Sequence, residues 1–164
     1  MVKTQNTLQA DQVNPIITVE NLDSILNEKK ILSEVSFQAM EGEITAIIGI
    51  SGSGKTTLLK HLLGIYPSRS DSVKVLGINP SELNENKEKD FYSQIGVLYQ
   101  EGALLNSMTV GENIGLPLEQ HTSLNAEIIE NIVRGKLRLV NLEHAYHKYP
   151  AELSGGMLKR AAIA

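Results

Sequence analysis

The stretch Gly49-Ile50-Ser51-Gly52-Ser53-Gly54-Lys55-Thr56 matches the phosphate-binding pattern G-x-x-x-x-G-K-[ST] at every constrained position. Glycines let the backbone wrap a phosphate chain with its N–H groups turned inward. The apolar run Ile44-Thr45-Ala46-Ile47-Ile48 ahead of the loop predicts a buried strand. Thr57-Leu58-Leu59-Lys60-His61-Leu62-Leu63 after it predicts a helix ended by Gly64. Strand, glycine loop and helix in that order are the context the pattern requires. The positive end of the helix then faces the phosphates. Lys55 is expected to reach the β- and γ-phosphates, and the Thr56 hydroxyl to ligate Mg²⁺. A flexible Gly/Ser linker before an ordinary helix is the competing reading, and Lys-Thr at the two prescribed positions argues against it.

Upstream, Ile16-Ile17-Thr18-Val19-Glu20 and the alternating Val35-Ser36-Phe37-Gln38-Ala39 read as strands. Downstream, Val73-Lys74-Val75-Leu76 reads as a short strand closed by Gly77 and Asn79-Pro80. The charged segment from Ser81 to Ser93 reads as helical, with Glu82 to Asp90 a solvated face. Ile95-Gly96-Val97-Leu98-Tyr99 reads as a buried strand ending at Gln100. Thr109 and Glu112 fit a capping box, with a short helix to Pro117. Ser123 is a candidate cap for a longer amphipathic helix. Its Ile128, Ile132 and Val140 share one face, flanked by Ile129, Val133 and Leu137.

A chain of 164 residues is one domain or part of one. Its formal net charge of -4 argues against nucleic acid as a main partner. It has no cysteine, so disulfides and thiolate metal sites are excluded, as suits a reducing cytosol. His144 and His147 lack the acidic or thiol neighbours of a metal site. No apolar stretch approaches the ~20 residues of a membrane-spanning helix. The polar segment 1–14 lacks a signal-peptide core and is expected to be a flexible tail. Any membrane role is therefore expected to run through a partner.

Far downstream lies Leu153-Ser154-Gly155-Gly156-Met157, followed by Lys159-Arg160-Ala161-Ala162. Ser154 can cap a helix whose first N–H groups belong to two glycines, and those groups can approach a phosphate closely. Taken alone, Ser-Gly-Gly is equally a hinge before a helix.

Together the two motifs resemble the nucleotide-binding subunit of ABC transporters, over about Ile16 to Ala164. The resemblance implies an α/β P-loop NTPase fold with an antiparallel β subdomain and a helical subdomain at about 101–153. Residues 15–164 would be the N-terminal part of such an ATP-binding domain. It implies that Gly49 to Gly54, Lys55, Thr56 and Thr57 bind ATP. Gln100 matches the glutamine that contacts Mg²⁺ and the attacking water. Ser154, Gly155, Gly156 and Met157 would bind the ATP of a second, head-to-tail subunit. The other implied partner is a membrane permease, which would place the chain peripherally at the cytoplasmic face of the inner membrane.

A narrower resemblance rests on Met157, where the family usually has Gln. It rests also on Tyr99-Gln100-Glu101-Gly102-Ala103-Leu104-Leu105, Glu112-Asn113-Ile114 and Pro117-Leu118-Glu119-Gln120-His121-Thr122. These look like the ATP-binding subunit of Mla and Mce lipid transporters. The alternatives are an ABC ATPase for another substrate and a non-hydrolysing nucleotide-binding module. A kinase or GTPase is ranked below these, because it leaves Leu153 to Met157 unexplained.

Two departures stand out. Ser24 to Lys30 lacks the aromatic that stacks on adenine in the family, leaving Ile25 or Leu26 to pack on the base. The chain also stops at Ala164, before the family's metal-holding Asp and water-activating Glu. Little or no hydrolysis is therefore expected of it as written. The reading is an N-terminal fragment of a longer subunit, with Ile44 to Ile48 left as an apolar, unpaired edge.

Overall fold

The computed structural model describes residues 15–100 and 102–164. The expected tail at 1–14 and Glu101 lie outside them. The chain divides into two compact units, one through Glu85 and one from Asn86.

The first unit is built on an antiparallel sheet in the order β2-β1-β3. Strands β1 (Pro15–Leu26) and β2 (Lys29–Met40) are each longer than the sequence patterns reach. The extension comes from a tight hairpin, with Leu26 opposite Lys29. Asn27 and Glu28 both take positive φ, 48° and 62°. Two left-handed residues give a turn whose twist matches that of the strands it joins. Alternation fails at register shifts between Val19 and Ser24, which hides the strand from a period-two reading. Strand β3 (Val73–Val75) pairs with β1 and stops one residue early, where Leu76 turns to a φ of 51°. Helix α1 (Lys55–Leu62) packs on the sheet, burying Leu58 and Leu62 with Val19, Leu22 and Val73 in the core.

The segment from Ser81 to Ser93 splits into a short 3₁₀ turn, Pro80–Glu82, and α2 (Glu85–Tyr92). Asn79 caps the 3₁₀ turn by accepting from Ser81 N at 3.0 Å. Helix α2 buries only Phe91, so its charged residues face solvent.

Two expected strands do not form. Residues 44–48 are irregular and exposed, with Ile44 99% and Ile48 92% accessible. Residues 95–99 are likewise irregular, with Val97, Leu98 and Tyr99 exposed. A strand is held by its ladder and by the neighbour that covers its face. Neither segment pairs with a strand among the described residues, so β-branched composition alone leaves each run as extended coil.

The second unit is helical. Helix α3 (Val110–His121) starts at the expected capping box, in which Glu112 N donates to Thr109 Oγ1 and Thr109 N to Glu112 Oε2. It does not end at Pro117, which lies within it. Pro117 removes one ladder bond, but Ile114 and Leu118 on either side pack on the shared core and carry the helix through. Helix α4 (Ala126–Leu139) is capped by Asn125, not Ser123, with Ile128 N donating to Asn125 Oδ1 at 2.9 Å. The side it buries is Ile129, Val133 and Leu137. Ile128 stays exposed, so the stripe read as the flank is the core-facing one. Gly115 lets α3 approach α4, since a Cβ there would lie 3.3 Å from Ile129 Cγ2. Helix α5 (Gly155–Ile163) closes the unit, with Leu153 and Ala161 in the same core.

Candidate functional site

The phosphate-binding loop is latched by its own lysine. Lys55 Nζ donates to Gly49 O at 2.7 Å and Ile50 O at 2.8 Å. The loop also closes through Ser53 N to Ile50 O at 3.2 Å. Its curl is tight enough that a Cβ on Gly49 would sit 2.5 Å from Ser53 Oγ. Gly54, at a φ of 94°, seats the loop's end on β2, where a Cβ would meet Leu32 Cδ2 at 2.7 Å. Only glycine satisfies both the left-handed backbone and that approach.

Gly54 caps α1 without a side-chain hydrogen bond, and no acidic residue occupies the first turn. The orphan N–H groups and positive helix end are thus left for an anion. Thr56 is exposed at the second helical position, and Thr57 is half-buried. A phosphate chain fits these groups: uncapped amides, a lysine and a hydroxyl. Mg²⁺ is commonly held by one or two protein oxygens together with substrate phosphates, a demand that Thr56 can help meet.

Behind the loop, α1 is pinned from its far end. His61 is buried, with Nε2 2.9 Å from Ser24 Oγ on β1. Burial holds its imidazole below the usual histidine range. Ser24 to Lys30, where the family's adenine-stacking aromatic is absent, forms the end of the β1–β2 hairpin. Ile25 is 66% exposed there and Leu26 half-buried.

Gln100 belongs to the second unit, as an exposed turn residue. From residue 102 the chain lies against α5: Gly102, at a φ of 84°, would place a Cβ 3.2 Å from Ala162 and 3.6 Å from Leu158 O. Ser154 caps α5 as expected, accepting from Met157 N at 3.3 Å. Gly155 and Gly156 are exposed, with nothing within 4 Å of an added Cβ. Their amides precede the first ladder bond, Leu158 N to Ser154 O at 2.9 Å, and are free to donate. Met157 is half-buried against the core.

Sequence reasoning passed over three residues around these turns. Asn113 clasps the loop before α3 through four hydrogen bonds. Gly102 sets the contact with α5, and Arg160 bonds the end of α4. Each lies within a motif, but a positive φ and a side chain's reach are not written in a motif. His144 and His147 lie exposed, His147 edge-on to Tyr146. Among the described residues no cluster of three or more His, Cys, Asp or Glu could hold a metal. Among them, too, no helix is long and apolar enough to cross a membrane.

A glycine loop latched by its lysine at the uncapped start of a sheet-backed helix defines a P-loop nucleotide-binding domain. Residues 32–164 match the model of the ABC transporter family, and the chain belongs to that family. It is 39% identical over 153 residues to the methionine import ATP-binding protein MetN of Chlamydia felis, covering 92% of this chain and 45% of that one. It is 36% identical over 149 residues to MlaF of Haemophilus influenzae, the ATP-binding protein of an intermembrane phospholipid transport system. That match covers 91% of this chain and 56% of MlaF. The chain thus spans about half the length of these curated relatives. Among solved structures, the dimeric bacterial ABC transporter cassette MJ0796 superposes with a TM-score of 0.79 at 28% identity. It covers 90% of this chain and 67% of that one. The fold is the α/β P-loop fold of ABC cassettes, with the antiparallel sheet and the helices expected.

Proposed function

We propose that this chain is the nucleotide-binding part of an ABC transporter ATP-binding subunit, which binds ATP with Mg²⁺ through residues 49–57. The latch of Lys55 on Gly49 and Ile50 carries the reading, because it presents a shaped, cationic loop at an uncapped helix end. Lys55 would contact the β- and γ-phosphates, Thr56 the metal, and Gln100 the metal and the attacking water. Ser154, Gly155, Gly156 and Met157 would contact the nucleotide of a second copy in a head-to-tail dimer. Residues 15–164 would then be the N-terminal part of the domain, with 101–153 as a helical subdomain toward a permease at the cytoplasmic face of the inner membrane. Nucleotide binding is the activity proposed for the chain itself.

For the substrate we propose a lipid. Met157, Gly102 to Leu105 and Pro117 to Thr122 support this, as does the likeness to MlaF. Methionine import is the second reading, favoured by the likeness to MetN.

Titration of ATP onto wild type and Lys55→Met tests the binding. A charge-assisted phosphate contact is worth about 1.5–3 kcal/mol, so affinity should fall at least about tenfold. Equal affinity would overturn the site. ATP-driven movement of labelled phospholipid between vesicles, by the complete transporter, decides between lipid and methionine.

A further inference from the structure

The turn Ser154-Gly155-Gly156 is bare on its sides. A Cβ added at Gly155 or Gly156 would meet nothing within 4 Å, and the Ser154 cap is a single bond of 3.3 Å. What aims this turn must therefore act on the helix behind it. One side of α5 rests on the core through Ala161, with Met157 and Leu158 half-buried beside it and Leu153 buried just ahead of the helix. Apolar contact is non-directional, and Ala161 offers only a methyl group to resist rotation. The directional contact comes from Arg160, whose Nη1 donates to Val140 O at 2.9 Å. Val140 ends α4, where carbonyls lack ladder partners and the helix dipole is negative. Arg160 lies four residues after Gly156, one turn further along the same face.

We propose that Arg160 is a positioning residue, tying α5 to the C-terminal end of α4 and so setting the angle at which Ser154, Gly155 and Gly156 meet nucleotide. The role rests on the nucleotide-binding reading above. Gly102 seats the opposite part of α5, against Leu158 O and Ala162. Arg160 thus adds a charged, directional tie to a helix otherwise held by apolar packing and by Gly102.

The test uses the protein as the cell makes it, with Arg160→Met and Arg160→Lys. Amide exchange at Leu158, the first ladder bond of α5, should speed up about tenfold in Arg160→Met and recover in Arg160→Lys. The ATP dissociation constant should stay at the wild-type value, since the phosphate loop is in the other unit. In the complete transporter, turnover should then fall through kcat, about tenfold, with KM unchanged. Unaltered Leu158 exchange in Arg160→Met overturns the proposal. So does acceleration spread evenly over α3 and α4, which would mean general loss of fold. If wild type binds no ATP, the nucleotide-binding reading fails, and the exchange comparison still decides the part played by Arg160.

Discussion

Replacing Asn113 should cost more when the replacement is isosteric than when it is small. The Asn113 carboxamide gathers the loop ahead of α3. Its Oδ1 accepts from Leu105 N at 2.6 Å. Its Nδ2 donates to Leu105 O at 3.0 Å, Met108 O at 3.1 Å and Thr109 O at 2.9 Å. A net contribution of about 1 kcal/mol per bond, with partial rehydration of the freed groups, gives about 2–3 kcal/mol for Asn113→Ala. Asn113→Asp keeps the shape and the bond from Leu105 N. It also turns a donor facing three carbonyls into an anionic acceptor, so at neutral pH the loss should reach about 3–4 kcal/mol. Below the carboxylate pKa the acid regains one donor, and the gap between the two variants should close. Urea unfolding followed by helical circular dichroism, at neutral and acidic pH, reads both effects. If Asn113→Asp is as stable as Asn113→Ala at neutral pH, the carboxamide is not the clasp that its geometry describes.

Gly111→Ala places a Cβ 2.7–2.8 Å from three atoms of the Tyr146 ring, which Arg134 covers at 4.2 Å. Overpacking of about 1–3 kcal/mol should outweigh the helix propensity gained, giving a net loss of about 1–2 kcal/mol by denaturant unfolding. Glu112 is held below its ordinary value of 4.5 by the Thr109 backbone N–H and then by its hydroxyl. Its contribution is therefore present above that value and lost as pH falls through the lower, folded one; Glu112→Gln should remove that part of the acid unfolding profile. His61 is held below 6.5 by burial, so the unfolded chain binds the proton more tightly. Stability should rise with pH through the window just below 6.5, and His61→Leu should flatten that slope in a thermal melt.

The parts legible in the sequence are those settled within a few residues. Gly54-Lys55-Thr56, the Thr109–Glu112 box and the Ser154 cap all formed where the residue types put them, since caps and tight loops are decided by neighbours in the chain. The failures required a distant partner. Ile44 to Ile48 and Ile95 to Tyr99 carry the composition of strands, but composition does not supply a ladder. The sequence does not decide the buried stripe on α4, because Ile128 and Ile129 are equally apolar and only the position of α3 selects Ile129. The substitution of Asn125 for Ser123 as cap reflects two residue types of near-equal capping strength two positions apart.

The two turns proposed to meet nucleotide are stabilised in opposite ways, and this bears on how such a chain would work. The phosphate loop is latched from within by Lys55 and wedged on β2 by Gly54. Its shape is set before any ligand arrives, so little ordering entropy is lost on binding. The Ser154-Gly155-Gly156 turn has open space around its glycines and takes its direction from α5 through Arg160 and Gly102. A small roll of α5 would re-aim Ser154 to Gly156 while leaving the phosphate loop intact. A partner that pushes on the loop after Gln100 would act on α5 directly, since Gly102 is in contact with it. Nucleotide capture and the readiness of the Ser154-Gly155-Gly156 turn can thus vary independently, which is what a nucleotide clamp driven by an outside signal requires.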